Sequence, residues 1–143
     1  MINIEKSVFI KKPVEEVFAF VIAEGNYTKW QPGVTELIEG GPRNTVGSHF
    51  TEVRKFMGQT MRTTLEITDF VPNARWAGKV VEGPVKYTVT ATYGAASGGT
   101  KYTTRVAGET TGFFKLAEGL VANQLEKSLG EDLQRLKELL EKA

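Results

Sequence analysis

Cysteine is absent and histidine occurs once, at His49, in a chain of 143 residues. These absences exclude thiol nucleophiles, disulfide frameworks, thiolate zinc sites and multi-histidine metal sites. Charge of one sign is also lacking: 18 basic residues stand against 17 acidic ones, for a net charge of +1. A polyanion-binding protein normally carries a basic surplus, so no nucleic-acid partner is expected. No run approaches the roughly 18 apolar residues that a membrane span requires. The longest apolar-leaning stretch, Val17 to Ala23, ends at Glu24-Gly25-Asn26. The opening Met1-Ile2-Asn3-Ile4-Glu5-Lys6 lacks the basic and then apolar segments of a secretory signal, and a soluble cytoplasmic protein is the expectation. Internal repeats, low-complexity tracts and long charge blocks are missing, which predicts one domain over residues 1–143, as suits the length. No metal and no cofactor is expected, and oligomeric state is not legible. Chemistry is left to carboxylates, tyrosines, lysines, arginines and shape.

What is present is periodic. Ile2, Ile4, Val8 and Ile10 share one face at period two, with Lys6 the exception, and predict a strand. Pro13 is read as the first residue of a helix, with Glu15 and Glu16 against the positive end of its dipole. Val14, Val17, Phe18, Val21 and Ile22 give that helix one apolar face, and Tyr27 to Trp30 suit one further helical turn. From Val34 to Glu109, threonine, valine and aromatic residues dominate. Turn residues at Gly40-Gly41-Pro42, Gly58, Pro72-Asn73, Gly83-Pro84 and Gly98-Gly99 divide this region into six strands. Short connections predict an antiparallel meander. Leu116, Leu120, Leu125, Leu129, Leu133, Leu136 and Leu140 then mark a long helix over about 113–142, interrupted by Gly119 and Gly130. The fold expected is α+β: a curved seven-stranded antiparallel sheet wrapped around the C-terminal helix, with two short helices between the first two strands. Space between sheet and helix remains open as a cavity.

The run Pro13-Val14-Glu15-Glu16-Val17-Phe18-Ala19-Phe20, followed by Trp30-Gln31-Pro32-Gly33-Val34, resembles the helix-grip superfamily. That superfamily (SRPBCC) groups START-type lipid-binding domains, birch-pollen-allergen-type proteins and the polyketide cyclase/dehydrase-like family. Val46-Gly47-Ser48, Gly58-Gln59, Gly83-Pro84, Gly98-Gly99-Thr100 and the closing Asp132-Leu133-Gln134-Arg135-Leu136-Lys137 extend the resemblance over nearly the whole chain. It is nearest to small bacterial polyketide cyclase/dehydrase-like proteins. Gly119 departs from the proline expected near there. The resemblance implies a small hydrophobic ligand: a lipid, a polyketide or another aromatic or apolar metabolite. It leaves open a cyclase/dehydrase-type enzyme using pocket tyrosines as acid and base, and a non-catalytic quinone carrier or assembly partner, because one fold hosts many functions.

The candidate ligand-binding residues are Trp30, Phe50, Phe56, Trp76, Tyr87, Tyr93, Tyr102, Phe113, Leu116 and Leu120. Aromatic walls with a few polar tips suit an apolar ligand, and the same residues also suit plain core packing. Gly78, on the face of Trp76 and Val80, is read as leaving room beside the indole. Glu52 and Arg54 share the parity of Phe50 and are polar candidates. They read either as an internal ion pair or, with more favour, as a sign of a bulge or solvated rim. Adjacent Ser48 and His49 point to opposite faces of a strand and cannot pair as nucleophile and base. No catalytic residue is assigned. Glu66 is read as solvated, and no spacing among Glu66, Asp69 and Glu82 fixes a carboxylate pair. The loop Gly40 to Gly47 lacks the Gly-Lys-Ser/Thr ending of a phosphate cradle and reads as a strand connection at the cavity mouth. Gly112 to Val121, with Phe113-Phe114, is read as a gate to the cavity.

Overall fold

A computed structural model describes the chain except for Glu24, residues 42–43, residues 110–114 and Ala143. Its order is β1 (Ile2–Ile10), α1 (Val14–Ile22), α2 (Tyr27–Trp30), β2 (Val34–Glu39), β3 (His49–Phe56), β4 (Gln59–Val71), β5 (Arg75–Glu82), β6 (Lys86–Ala96), β7 (Gly99–Glu109) and α3 (Glu118–Lys142). The strands form one antiparallel sheet in the order β1-β7-β6-β5-β4-β3-β2. Strands β2 to β7 are a meander. The α1–α2 segment spans the sheet from one edge strand, β1, to the other, β2. No helix among the described residues is long and apolar enough to cross a membrane.

Local chemistry explains the elements. Met57 and Gly58 both take positive φ, 52° and 76°, as a two-residue hairpin turn requires between β3 and β4. Pro13 is extended, with ψ 152°, and its carbonyl accepts from the N–H groups of Glu16 and Val17. It therefore caps α1 from outside instead of opening the helix as predicted. The predicted apolar face of α1 is the buried one: Val17, Phe18 and Val21 point inward. Threonine pairs such as Thr51–Thr64, 2.8 Å apart, bind across neighbouring strands on the opposite face of the sheet from Phe50.

Among the described residues the apolar material gathers in three groups. One joins Ile10, Val17, Phe18, Tyr93, Leu133 and Leu136. A second joins Ile2, Ile4 and Val121. The third lies under β3, β4 and β5 at Phe50, Leu65, Ile67 and Val80. Helix α3 closes over the sheet with Val121, Leu133, Leu136 and Leu140. Leu136 is completely buried, so Leu136→Ala is expected to lower stability by about 3 kcal/mol, the middle of the range for such deletions. Urea unfolding checks this; a change within experimental error contradicts the packing.

The leucine ladder was expected to run inward from residue 116, and here the structure differs. Leu116 is 92% exposed and Leu120 is 61% exposed. Leu116 precedes Glu118, where α3 begins. Leu120 lies about 100° around the helix from the buried Val121. The predicted helical start near 113 lies outside the described residues.

Candidate functional site

The three apolar groups border a cavity of about 340 Å³ between the concave face of the sheet and α3. That volume falls in the range of small-molecule sites, roughly 300–1,000 Å³. Strict alternation builds its floor. Tyr87, Val89, Ala91 and Tyr93 of β6 face inward, as do Tyr102, Thr104 and Val106 of β7. From α3 come Val121, Leu125, Ser128, Leu129 and Asp132. Its exposed lining residues include Pro32, Lys55 and Glu131, which puts an opening between the α2–β2 link, the end of β3 and the middle of α3.

Nine of the predicted aromatic and polar candidates line this space: Trp30, Phe50, Glu52, Arg54, Phe56, Trp76, Tyr87, Tyr93 and Tyr102. Leu116 and Leu120 do not, since both point into solvent. Phe113 lies outside the described residues, as do Gly112 and Phe114. The exposure of Leu116 and Leu120 removes them from the gate read over 112–121; among its described residues Val121 lines the cavity. The described residues of the Gly40–Gly47 loop stay away from the lining as well. Gly78 does not leave an empty slot. A Cβ built there would meet Trp76 Cη2 at 2.9 Å, so the indole itself lies over the glycine.

Aromatic edges organise one end. Tyr93 and Tyr102 are cross-strand partners with ring centroids 4.9 Å apart. Phe18 meets Tyr93 edge-on at 5.0 Å, and Trp30 meets Tyr102 at 6.3 Å. The Trp30 indole N–H is buried and finds no acceptor among the described residues.

The polar centre of the wall lies at Glu52 and Arg54. The pairing of β3 with β4 runs without interruption from His49↔Glu66 to Phe56↔Gln59. No bulge therefore turns the strand, and Phe50, Glu52, Arg54 and Phe56 all face the cavity. The favoured reading of a bulge or solvated rim is overturned; the irregularities fall instead in β2 and in the β4–β5 pairing. Glu52 is 3% exposed. Arg54 Nε donates to Glu52 Oε1 at 3.0 Å, and Arg54 Nη2 donates to Gln31 Oε1 at 2.8 Å. The Tyr27 hydroxyl donates to Glu52 Oε2 at 2.6 Å. His49, of opposite parity, faces out and meets Glu66 at 3.2 Å.

Burial sets the protonation of this group. Tyr27 is held well above the ordinary phenol range by burial first and by the Glu52 charge second. Tyr87 is raised by the same two causes in the same order. Both phenols are therefore hydrogen-bond donors at neutral pH. Burial opposes the Arg54 charge, yet Glu52 beside it holds the guanidinium above its usual value.

Sequence reasoning missed Tyr27, Gln31, Asp132 and Arg135. The short turn α2 places Tyr27 and Gln31 over the ion pair, and it is fixed by Asn26, whose side-chain amide donates to the Phe20 carbonyl at 3.0 Å. Arg135 Nη1 donates to the Trp30 carbonyl and to Asp132 Oδ1, tying α3 to α2. The signal was available: Asp132 interrupts the apolar stripe Leu125-Leu129-Asp132-Leu136.

Asp132 supplies a pH prediction. Burial raises its carboxyl to about 6, against the pull of Arg54 and Arg135. A folded-state pKa above the unfolded one gives stability that is complete below about pH 4 and is lost as pH rises through about 6. The stability of the native chain relative to Asp132→Asn should therefore fall between those values, by up to about 3 kcal/mol. Urea unfolding of both proteins along that pH range measures it. A constant difference contradicts the raised pKa.

Comparison with known proteins agrees with this fold. Residues 1–141 match the family described as polyketide cyclase/dehydrase and lipid transport. No curated protein matches the chain. Among solved structures, a Thermus thermophilus protein superposes with a TM-score of 0.84 at 20% identity, covering 96% of each chain. A conserved protein of Geobacillus kaustophilus gives 0.81 at 17% identity, covering 99% of this chain and 96% of its own. The protein Ara h 8.0201 gives 0.74 at 14% identity, with 99% and 98% covered. At these identities the likeness concerns the fold: the helix-grip arrangement of sheet and long helix.

Proposed function

We propose that this chain, which belongs to the polyketide cyclase/dehydrase and lipid transport family, binds one small hydrophobic molecule in the cavity between its sheet and α3. The observation that carries the reading is the cavity itself. About 340 Å³ stays unfilled at the junction of three apolar groups, walled by Trp30, Phe50, Trp76 and Tyr102. Protein interiors normally close such space, because unfilled volume forfeits packing contacts. The few polar groups on the wall fit the usual pattern, in which apolar surface provides affinity and sparse donors provide orientation. The tyrosines are held protonated by burial, which suits donation to a bound oxygen better than proton abstraction by a phenolate. This favours binding over a cyclase mechanism with tyrosine as base.

Native mass spectrometry of gently purified protein tests the proposal. A single adduct of small-molecule mass, lost on unfolding, is the expected result. Protein that is always empty and takes up no N-phenyl-1-naphthylamine, a neutral apolar fluorophore, overturns it.

A further inference from the structure

The polar group on the cavity wall is satisfied on one side only. Both oxygens of Glu52 are occupied: Oε1 by Arg54 Nε, and Oε2 by the Tyr27 hydroxyl and Arg54 Nη2. Arg54 Nη2 is further occupied by Gln31. Arg54 Nη1, in contrast, donates to no acceptor among the described residues. The Tyr87 hydroxyl on the same cavity wall has no hydrogen-bond partner among them either. Tyr87 and Arg54 lie close enough for each to feel the other's charge, and both feel Glu52. A guanidinium and a phenol both donate hydrogen bonds, and both groups open on the cavity, where a bound molecule can accept from them. The unused capacity here is for donation, so the missing partner is an oxygen acceptor.

Charge selects the kind of oxygen. The ionisable side chains of the lining cancel: Glu52, Glu131 and Asp132 stand against Arg54, Lys55 and Arg135. Arg54 is already neutralised by Glu52 at 3.0 Å. A carboxylate would add an uncompensated charge beside Glu52 in a low-dielectric space, which is costly. A carbonyl takes the same donors and adds no charge. The rings of Trp30, Phe50 and Trp76 offer faces and edges to a flat body.

We infer that the ligand is an uncharged aromatic or conjugated molecule bearing a carbonyl oxygen, received by Arg54 Nη1 and the Tyr87 hydroxyl. The inference rests on the cavity being a ligand site and narrows the class of ligand it takes.

Three probes with one ring system test it: 2-acetylnaphthalene, 2-ethylnaphthalene and 2-naphthoate, each titrated against bound N-phenyl-1-naphthylamine at about pH 8, where the acid is ionised. The ketone is expected to bind about tenfold more tightly than the hydrocarbon and the acid, the worth of hydrogen bonds from a charged and a neutral donor. In Arg54→Met and in Tyr87→Phe the ratio of ketone to hydrocarbon affinity should fall toward one. Tyr87→Phe removes only a hydroxyl that no described neighbour uses, so it decides the question even if Arg54→Met fails to fold. Equal affinity for all three probes, or tightest binding of the naphthoate, overturns the inference and leaves the cavity a binding site. An unchanged ratio in a folded variant also overturns it. Displacement of the bound fluorophore by none of the probes overturns the inference alone, whereas protein that is always empty and does not bind the fluorophore itself overturns the ligand-site reading together with the inference.

Discussion

Glu52→Leu is expected to destabilise the protein by about 3 kcal/mol, because breaking a buried pair leaves the other charge without compensation. For a chain of this size that lowers the thermal midpoint by about 10 °C. The substitution removes the acceptor of the Arg54 Nε bond and the acceptor of the Tyr27 hydroxyl at once. It strands a guanidinium whose side chain is only 21% exposed and which lines the cavity. Replacing both partners by apolar groups is a different matter, since neither charge then remains to be solvated. Glu52→Leu combined with Arg54→Met should therefore recover most of the loss. Thermal and urea unfolding of the two variants separate these cases. Additive destabilisation in the double variant contradicts the pairing, because partners in contact couple.

Ser128→Trp is expected to weaken binding of N-phenyl-1-naphthylamine about 100-fold, which corresponds to about 2.7 kcal/mol. Ser128 projects from the middle of α3 into the lining and carries the smallest side chain of that stripe. An indole there enters open space, so it competes with the ligand without the strain that overpacking brings to a filled core. Val89→Phe, from the opposite wall, should act in the same direction. Both variants should unfold within about 1 kcal/mol of the native chain if the volume is truly free. Fluorescence titration alongside urea unfolding reads both quantities. Full affinity in both folded variants contradicts the location of the site.

Much of the fold was legible because its signals are local. Alternation in Tyr87-Val89-Ala91-Tyr93 gave the inward face of β6, and the 3.6-residue period gave the buried face of α1. The phase of β3 was misread for a physical reason. Buried ion pairs are uncommon, so a Glu and an Arg at inward parity argued for a bulge. The compensation comes from Tyr27 in α2 and Gln31 just after it, more than twenty residues away in sequence, and strand periodicity carries no information about such a partner. The misplacement of Leu116 and Leu120 has another cause. Leucines four apart continue a helix ladder on paper, but each step of four advances 40° around a real helix. Val121 faces inward and Leu120 does not. The polar interruption of the α3 stripe at Asp132 could have been noticed, since a carboxylate on an apolar face always asks for a partner.

The central claim is that the ligand sits inside, between sheet and helix, and not on the exposed leucines of the α3 end. Intermolecular nuclear Overhauser effects in the complex with N-phenyl-1-naphthylamine test this most directly. Contacts from the fluorophore to Val89, Leu125 and Tyr87, which line the cavity, are the predicted result. Contacts confined to Leu116 and Leu120, which face solvent, would contradict it.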